Sequence, residues 1–450
     1  MDTPICDFVR AYAQKGMQRL HMPGHKGIGP LGVEALDITE VEGADELYHS
    51  RGIIRRSQEN AARLFGTART LYSAEGSSLA IRAMVYLAAL HARSQGSTPR
   101  IAAGRNAHKT FMTAAALLDV EVDWLFPRQW EGLVSCRITG EELKDYLSRA
   151  EQRPTAVYIT SPDYLGHVAD IPALAQVCRE FGVLLLVDNA HGAYLRFLPE
   201  DRHPITLGAD LCCDSAHKTL PVLTGGGYLH VAHSAPQLLA GLAQEALALF
   251  ASTSPSYLIL QSLDAANSYL AEGYKERLAE FVYAVKKLKE RLTGAGYTLV
   301  GDEPLKLTLA PKGWGYTGVE LAGLLGKQGL ECEFSDPDYV VLMVAPENGL
   351  RCLEELERAL SDIPRREPLT ARPPAMSRPQ RWCQPRQAMM RAGQEREVRD
   401  CRGMVLAGAM VSCPPAVPVV VCGEVIDDEA IERMEYYAVR SCRVFPPEKE

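Results

Sequence analysis

The sequence predicts an α/β fold: a mainly parallel central sheet flanked by helices, with smaller α+β sections after it. Between residues 68 and 232, short apolar runs alternate with segments of helical spacing. The run VLLLVD (183–188) has no polar alternation, which is typical of a strand buried on both faces. The segment 171–182 places its apolar residues on one helical face and ends in glycine, a common helix stop. These patterns together predict a sheet wrapped by helices.

Four apolar runs are predicted to be strands of this sheet. They are RIAAG (100–104), VEVDWLF (120–126), TAVYIT (155–160) and VLLLVD (183–188). Leucines and aromatic residues then recur at helical spacing and predict one long amphipathic helix over roughly 256–293. A smaller α+β unit is predicted over about 297–362. Its strands are expected near KLTLA and YVVLMVA, and its helices near 317–328 and 350–361.

The C-terminal part has a different composition. Residues 364–380 are rich in Pro and Arg, which predicts a linker or an extended arm. The apolar run VPVVVCGEVI and a short helix in DDEAIERMEYYAV follow. We therefore expect four regions. They are an N-terminal arm (1–55), a large domain that holds the ligand (56–255), a linking helix with a small α+β domain (256–363), and a C-terminal domain (364–450).

Composition limits the class of protein. The 450 residues are 47% hydrophobic and 23% charged, with a formal net charge of −8, which is normal for a globular protein with a sizeable core. Without a long basic run, nucleic acid and anionic membranes are poor partners. The N-terminus does not resemble a signal peptide, and no stretch approaches the ~20 apolar residues of a membrane span. The twelve cysteines show neither C-x-x-C nor zinc spacing, so we expect reduced thiols, a cytoplasmic location and no metal site.

Ligands of open α/β sheets bind at the C-terminal ends of the strands, so polar residues that follow apolar runs are the candidates for a site. Gly76, Ser77 and Ser78 precede a helical pattern. Their N–H groups and hydroxyls suit a phosphate at a helix N-terminus, and the alternative is a serine-capped helix. His108 follows RIAAG directly. It is either a ring that stacks on an aromatic cofactor, an acid, or a surface or capping residue.

Two further candidates follow later apolar runs. Asp188 ends VLLLVD, and a carboxylate there is costly unless a cationic group pairs with it. Its alternative role is to cap a helix or turn. Lys218, in SAHK (215–218), would have a lowered pKa in dry surroundings and would then be a nucleophilic amine suited to Schiff-base chemistry. Its alternative is a lysine that extends its charged end into water.

The four candidates make chemical sense as a set. A phosphate cradle, a stacking imidazole, a carboxylate for a pyridinium nitrogen and a Schiff-base lysine are the parts that pyridoxal phosphate needs. Their order along a βαβ domain also suits this cofactor. The combination is far more specific than any single member.

At this point the sequence resembles the ornithine/lysine/arginine decarboxylase family, pyridoxal-phosphate enzymes with the aspartate-aminotransferase fold (fold type I). The resemblance runs from about residue 3 almost to the end and is weaker in SCPPAVPVVVCGEVI (412–426). The main matching stretches are HMPGHKG (21–27), DITEVEGADELYHSRGII (37–54), RNAHKT (105–110), TSPDYLGHVADI (160–171), VDNAHGAY (187–194), SAHKTLPVLT (215–224) and STSPSYLILQSLDAA (252–266). Because the chain begins close to HMPGHKG, it is expected to be a short form without the N-terminal wing domain.

The resemblance implies a role for each matching position. Lys218 corresponds to the lysine that binds the cofactor covalently, Asp188 to the carboxylate on the pyridinium nitrogen, and His108 to the stacking imidazole. His217 corresponds to a histidine beside the Schiff base that contacts phosphate or assists protonation. The remaining cofactor positions are Gly76, Ser77, Ser78, Ala190, His191, Ser215, Thr253 and Ser254. In this family the site is built between two subunits, so a homodimer is expected, with STSP (252–255) contributed by the neighbouring subunit.

Several positions depart from the family pattern. Asn189 stands where an acidic residue is usual, and Gly225 where a glutamine is common. Asp163 and His167 replace a threonine and an apolar residue, and SCPPAVP and CGE replace proline-rich motifs near the C-terminus. An extra charge at Asp163 bears on the choice of substrate. The core cofactor set is intact, so pyridoxal phosphate is expected to bind.

The expected activity is decarboxylation of arginine, lysine or ornithine to the amine and carbon dioxide, feeding polyamine synthesis. The alternatives are another fold-type-I reaction, such as a transaminase using Arg351 for the substrate carboxylate or a side-chain lyase, and a catalytically degenerate regulatory paralogue. The triple glycine 225–227 lacks P-loop spacing, which excludes a nucleotide site. An acidic residue should bind the distal group of the substrate. The candidates for that role are Asp45, Glu46, Asp163 and Glu333.

Overall fold

The computed structural model describes residues 1–128, 136–375, 378–412 and 418–447. The chain divides into two compact units. The first comprises Met1–Gln95 and Leu184–Arg277, and the second comprises Gly96–Val183 and Leu278–Glu450. The four regions expected from the sequence stay predictions.

The described strands and α-helices are numbered here in chain order. The strands are β1 Arg69–Ser73, β2 Arg100–Gly104, β3 Glu121–Leu125, β4 Ala156–Thr160, β5 Leu184–Asp188, β6 Leu211–Asp214, β7 Gly227–Val231, β8 Leu299–Val300, β9 Lys306–Leu309, β10 Phe334–Ser335, β11 Val340–Met343, β12 Gln394–Glu397, β13 Val405–Leu406, β14 Met410–Ser412, β15 Pro418–Val421 and β16 Ser441–Phe445. The helices are α1 Pro4–Gln14, α2 Ile53–Phe65, α3 Gly76–Ser94, α4 Lys109–Leu118, α5 Gly140–Arg149, α6 Ile171–Phe181, α7 Ala216–Thr219, α8 Gln237–Ala248, α9 Tyr257–Ala271, α10 Tyr274–Ala295, α11 Gly318–Lys327, α12 Gly349–Ser361, α13 Pro385–Met389 and α14 Asp428–Tyr436.

The sheets of the two units carry the predicted strands. In the first unit the strand order is β1-β7-β6-β5, with β5 and β6 parallel and β7 antiparallel to both β6 and β1. In the second unit the order is β4-β2-β3, and these strands are parallel. All four strands predicted from apolar runs are present, and β5 is buried along its whole length. The mainly parallel α/β sheet is therefore confirmed.

The long helix expected over 256–293 is wrong. The chain forms α9 and α10 instead, separated at Gly273, which has a φ of +69°. A left-handed conformation ends a helix, and glycine adopts it without a Cβ penalty. The apolar spacing that predicted one helix is still accounted for, since Leu260, Leu270, Leu278 and Leu288 are all buried. The spacing identified the buried faces of both helices and missed the break between them.

The strands and helices predicted for residues 297–362 are present in the second unit. Strands β9 and β11 match KLTLA and YVVLMVA, and they lie in an antiparallel sheet of order β10-β11-β9-β8. Helices α11 and α12 match the predicted helices. Among the described residues of 364–380 there is neither a helix nor a strand, as a linker requires.

The C-terminal section forms two small antiparallel sheets, of order β12-β16-β13 and β14-β15, and contains the predicted helix α14, which precedes β16. Its apolar residues share a core with residues from earlier in the second unit, among them Leu165 and Val341. Part of the weak family match, residues 413–417, lies outside the described residues.

Candidate active site

The first component of the site is the turn that begins helix α3. Gly76 has a φ of +66°, and its N–H donates to the carbonyl oxygen of Gly225 over 2.6 Å. The helix is preceded by Glu75, whose side chain makes no capping hydrogen bond, so the serine-capped alternative is wrong. The hydroxyl of Ser77 instead accepts a hydrogen bond from the hydroxyl of Ser215, with the oxygens 2.8 Å apart. Ser77 and Ser78 therefore lie in the first turn, where helix N–H groups have no partner within the helix and attract anions.

Close backbone packing holds this turn in place. A Cβ at Gly227 would lie 2.9 Å from the carbonyl oxygen of Asp214 and 3.0 Å from the carbonyl carbon of Gly76. Both neighbours are backbone atoms, so no larger residue fits at Gly227 unless the chain moves. The triple glycine 225–227 accordingly belongs to a turn that leads into β7. It brings the end of β6 and the start of β7 against the start of α3.

Asp188 ends β5, and its carboxylate is buried. It accepts hydrogen bonds from the N–H of Ala190 at 3.3 Å and the thiol of Cys213 at 3.5 Å. The first contact is the turn cap that the sequence allowed as an alternative. Asp188 is also in register with Cys213 on β6, the neighbouring parallel strand. The segments after β5 and β6 therefore emerge at the same edge of the sheet.

Lys218 and His191 meet at this edge. Nζ of Lys218 lies 3.2 Å from Nε2 of His191, and the imidazole of His191 is buried while Lys218 is exposed in the single chain. The dry surroundings expected for Lys218 are therefore not provided by this chain alone. Nδ1 of His217 lies 2.8 Å from the carbonyl oxygen of Gly226, which can only accept, so Nδ1 carries the proton and Nε2 is bare in the neutral ring. Its Cε1 lies 3.6 Å from where a Cβ of Gly76 would be.

The loop at 252–254 is exposed in this chain. The N–H of Ser252 donates to the carboxylate of Glu75 over 2.7 Å, and the N–H of Ser254 donates to the hydroxyl of Ser252. Glu75 was not anticipated from the sequence. It attaches the loop carrying Thr253 and Ser254 to the residue before Gly76.

His108 belongs to the second unit, where it precedes helix α4. Its Nδ1 accepts a hydrogen bond from the N–H of Thr110 over 3.3 Å, so the imidazole caps the helix, as one of its alternatives required. A ring with an accepting Nδ1 carries its proton on Nε2 when neutral. The stacking role of His108 stays a prediction.

The acidic candidates for substrate recognition differ in what they already contact. The carboxylate of Asp45 accepts hydrogen bonds from the N–H groups of Arg51, Gly52 and Ile54, which makes it a cap for helix α2. The buried carboxylate of Asp163 accepts from the N–H of His167 at 2.8 Å and lies 3.0 Å from its Nδ1. Both carboxylates therefore close local turns.

The other two carboxylates are exposed. Glu46 contacts His49 over 2.6 Å, and Glu333 accepts from the hydroxyl of Tyr164 over 2.9 Å. Arg351, the one arginine considered for a transaminase, has a side chain that is 88% exposed and is paired with Glu355. It is not built as a clamp for a substrate carboxylate.

The residues of the first unit fit pyridoxal phosphate. The amine of Lys218 can form the covalent linkage, and the buried carboxylate of Asp188 provides the negative charge that a protonated pyridine nitrogen needs. The first turn of α3, with the hydroxyls of Ser77 and Ser215 in contact, supplies donors for a phosphate. Asp188 ends β5, and the segment with Ser215 and Lys218 follows β6, so both emerge at one edge of the sheet.

Comparison with known proteins identifies the family of this chain. Residues 3–303 match the model of the family described as "Orn/Lys/Arg decarboxylase, major domain". An arginine decarboxylase of Bacillus subtilis is 28% identical, over 96% of this chain and 92% of its own length. An uncharacterized protein of the same organism, YaaO, is 29% identical over 96% of this chain and 94% of its own length. The crystal structure of a Francisella novicida lysine decarboxylase superposes with a TM-score of 0.80 at 15% identity, covering 98% of this chain and 81% of that one.

The fold and the site together define a pyridoxal-phosphate-dependent enzyme of fold type I. The chain belongs to the Orn/Lys/Arg decarboxylase family. It is accordingly a decarboxylase that acts on a basic amino acid.

Proposed function

We propose that this enzyme decarboxylates arginine and that Lys218 carries its cofactor. The relatives named arginine decarboxylase, which align over nearly the whole chain, support arginine over lysine or ornithine. The observation that supports the cofactor assignment is the contact of 3.2 Å between Nζ of Lys218 and Nε2 of His191, beside the end of β5 that carries Asp188. The carboxylate of arginine would leave as carbon dioxide, and Cα would receive a proton.

The proposed roles follow from the donors and charges of the site. Pyridoxal phosphate, when bound, accepts the electron pair left on Cα as the carboxylate departs. Asp188 holds a proton on the pyridine nitrogen, because its buried negative charge favours the cationic ring. The first turn of α3, with Ser77 and Ser215, binds the phosphate. His191 accepts a hydrogen bond from the amine of Lys218 and so orients it.

We assign the return of the proton to Cα to Lys218. Tyr164, the tyrosine of the matching stretch TSPDYLGHVADI (160–171), is a poor acid, since burial raises the pKa of its hydroxyl well above the ordinary value of 10.0. The neutral ring of His217 has its proton on Nδ1, which is engaged with Gly226. The amine of Lys218 already has a partner in His191 with which to exchange a proton.

We propose Glu333 or Glu46 as the residue that binds the guanidinium group of the substrate. Both carboxylates are exposed, whereas those of Asp45 and Asp163 close local turns. The variants Glu333→Gln and Glu46→Gln separate the two. Substitution of the glutamate that binds the guanidinium should raise KM for arginine at least about tenfold, because a charge-assisted pair is lost. Substitution of the other glutamate should leave KM unchanged.

The proposal is tested with purified protein and added pyridoxal phosphate. Wild-type protein should show a visible absorption band that borohydride reduction fixes to the peptide containing Lys218, and it should release carbon dioxide from arginine in preference to lysine and ornithine. Lys218→Ala should lose the band and at least about a thousandfold in kcat, as expected when a covalent catalyst is removed. Lys109→Ala is the matched control, since Lys109 also follows a histidine and is exposed. It should keep the band.

Two outcomes would contradict the assignment. A band that survives in Lys218→Ala would move the covalent linkage to another lysine. Faster release from lysine than from arginine would replace the substrate while leaving the cofactor site intact.

We further propose that the enzyme is a homodimer. Five apolar side chains of the N-terminal arm are between 57% and 94% exposed in the single chain. They are Met17, Leu20, Met22, Ile28 and Leu31. Exposed apolar surface of this kind marks an interface, and a second copy of the chain would cover it. Light scattering should give twice the chain mass for wild type and the monomer mass for Leu20→Glu/Ile28→Glu. Leu350→Glu, an exposed leucine on α12, should stay dimeric.

Its place in polyamine synthesis and in the cytoplasm also belongs to this proposal. The product of arginine decarboxylation is a polyamine precursor. The cysteines of the described residues are free thiols, as a reducing compartment favours. Across the described residues, the helices lack the combination of length and apolarity that crossing a membrane requires.

A further inference from the structure

Asp214, the last residue of β6, is fully buried and directly precedes the SAHK segment (215–218) that carries Lys218. Its Oδ2 lies 3.1 Å from Nε2 of His203 and 3.1 Å from Nε2 of His230. Its Oδ1 accepts a hydrogen bond from Nδ2 of Asn189 over 2.7 Å. We call these four residues the Asp214 cluster.

Two histidines and a carboxylate are also a possible set of metal ligands, and their ligand atoms lie within 4.8 Å of one another. The hydrogen bonds favour another assignment. Nδ1 of His203 accepts from the N–H of Ile205 at 3.4 Å, so in the neutral ring the proton is on Nε2, the atom a metal would need. Nδ1 of His230 has the hydroxyl of Thr70 at 2.9 Å as a possible donor. Both Nε2–H groups then donate to Asp214, and the cluster is a hydrogen-bonded anion.

The negative charge of the cluster stays on Asp214. Burial alone would raise the pKa of this carboxyl, but the two imidazoles outweigh burial and hold the pKa well below its ordinary value. Burial lowers the pKa of His230, so this ring is neutral at pH 7. The thiol of Cys212 also lies 3.7 Å from Oδ1 of Asp214, and Tyr228 is its register partner on β7. This carboxylate therefore has imidazole, amide and thiol donors around it.

The position of the cluster links it to the cofactor site. Asn189 directly follows Asp188, and Asp214 directly precedes Ser215. The N–H of Asn189 also donates to the carbonyl oxygen of Cys213, which ties the two segments a second time. Asn189 stands where the family usually carries an acidic residue. The acidic group is therefore present, but it comes from the end of β6 rather than from the segment after β5.

We propose that Asp214 is a positioning residue that supplies from β6 the negative charge missing at Asn189 and locks the segment of Asp188 against the segment of Lys218. This inference rests on the proposed function, in which these two residues hold the cofactor. Without the Asn189–Asp214 bond, the segments carrying His191 and Lys218 lose one of their two ties beyond the strand pairing and keep the backbone bond from Asn189 to Cys213. Without the charge, the cationic form of the lysine–cofactor linkage is less stable.

The test is a pH titration of the visible band of the holoenzyme, combined with cofactor affinity and thermal unfolding of the cofactor-free protein. Asp214→Asn should lower the pH midpoint of the band by about half a unit or more, because a buried negative charge nearby is lost. Asn189→Ala keeps the charge and should weaken binding of pyridoxal phosphate at least about fivefold through the lost anchor. Asn189→Asp/Asp214→Asn returns the charge to position 189 and should restore the midpoint.

The control is Asp264→Asn, in the same unit. Asp264 is also fully buried and accepts hydrogen bonds from the N–H groups of Ile5 and Cys6 and from the hydroxyl of Ser57. This variant should lower the unfolding temperature and leave the midpoint unchanged. If Asp214→Asn does not fold, the inference is tested by two other measurements. They are the affinity of Asn189→Ala for pyridoxal phosphate and the pH midpoint of the band in Asn189→Asp/Asp214→Asn.

Three results would overturn the inference. One is a midpoint in Asp214→Asn equal to that of wild type, with a loss of unfolding temperature like that of Asp264→Asn. Another is unchanged cofactor affinity in Asn189→Ala. The third is a stoichiometric metal ion in the purified protein that is lost in Asp214→Asn. If wild type shows no band at all, the proposed function fails first and this inference fails with it, whereas a band with an unshifted midpoint refutes the inference alone.

Discussion

Two buried carboxylates in this molecule are stabilised in opposite ways. In the first unit, Asp214 accepts hydrogen bonds from His203, His230 and Asn189. In the second unit, Glu424 faces Arg105 in a bidentate ion pair with distances of 2.6 and 2.7 Å. Both carboxylates are almost inaccessible to solvent. Asp214 also has the thiol of Cys212 at 3.7 Å, so hydrogen bonds from four side chains hold it, whereas Glu424 faces a single opposite charge.

The difference matters for what each carboxylate can do. An ion pair neutralises its charge locally, so the Arg105–Glu424 pair suits a structural role in the second unit. The Asp214 carboxylate has hydrogen-bond donors rather than an arginine or lysine as its partners, and its charge acts on neighbouring groups through a medium of low dielectric constant. An uncompensated carboxylate such as Asp214 stabilises a nearby cation better than a carboxylate that is already paired with an arginine. Substitutions at buried and exposed carboxylate partners test this difference.

The largest expected effect is at the ion pair. Arg105→Met removes the cation and leaves Glu424 buried with the N–H of Val421 as a remaining donor, so the free energy of unfolding should fall by about 3–5 kcal/mol. The guanidinium also lies 5.2 Å from the centre of the Trp124 ring and loses that contact. Chemical denaturation measures the loss.

The double variant Arg105→Met/Glu424→Leu separates the charge from the packing. With both charges gone, stability should return to within about 1 kcal/mol of wild type, because a buried ion pair contributes little compared with apolar residues of similar size. A double variant as unstable as the single one would show that the geometry of the pair, and not its charge balance, holds the C-terminal section.

Asp336 is a third buried carboxyl, and its hydrogen-bond donors are backbone groups. Its Oδ1 accepts hydrogen bonds from the N–H groups of Asp338 and Tyr339. Burial outweighs these bonds and raises the pKa of Asp336 from its ordinary 3.8 to about 6. Between these two values the folded state keeps a proton that the unfolded state has lost, so the contribution of this carboxyl to stability falls as pH rises through about 6.

Asp336→Asn should remove this pH dependence and keep an oxygen acceptor. Its free energy of unfolding should exceed that of wild type at pH 7.5 by up to about 3 kcal/mol, and the gain should shrink towards pH 4. Denaturation of both proteins at the two pH values measures the difference. If Asp336→Asn increases the free energy of unfolding equally at pH 7.5 and pH 4, the carboxyl of Asp336 is not protonated in the folded state near pH 5.

The smallest effect is expected for Arg351→Ala. Arg351 and Glu355 form the same kind of charge pair as Arg105 and Glu424, but on the surface of helix α12, with the arginine side chain 88% exposed. Water screens such a pair, and stability should change by less than about 0.5 kcal/mol. Decarboxylation should also be unaffected. A large loss of activity would restore Arg351 as a ligand for the substrate carboxylate.

The sequence predicted those parts of the structure that depend on local patterns. Apolar runs predicted β2 to β5, and the glycine at 182 marked the end of α6, where it has a φ of +66°. The break between α9 and α10 escaped because the apolar spacing continues across Gly273. A periodic pattern reports which faces are buried, and it does not report whether one helix or two carry them.

The site was predicted unevenly for a related reason. The roles of Asp188 and Lys218 stay predictions: Asp188 ends an apolar run, and Lys218 lies in SAHK (215–218), directly after β6. The Asp214 cluster was missed because His203 and His230 come from separate segments that only the fold of the first unit brings together. Asn189, which stands where the family usually has an acidic residue, was a signal in the sequence for this cluster. It did not indicate that Asp214 would be its hydrogen-bond partner.

The turn between Gly76 and Gly227 has a consequence for how such enzymes diversify. Three stretches of chain interlock there through backbone atoms, with a hydrogen bond from Gly76 to Gly225 and no room for a Cβ at Gly227. An anchor made of main chain is insensitive to replacement of the surrounding side chains. The residues that select the substrate can therefore be replaced by many others while the backbone contacts among residues 76, 225 and 227 keep their geometry. Substrate preference can change in evolution, and in a laboratory library, without a change in the turn that we propose as the phosphate-binding part of the cofactor site.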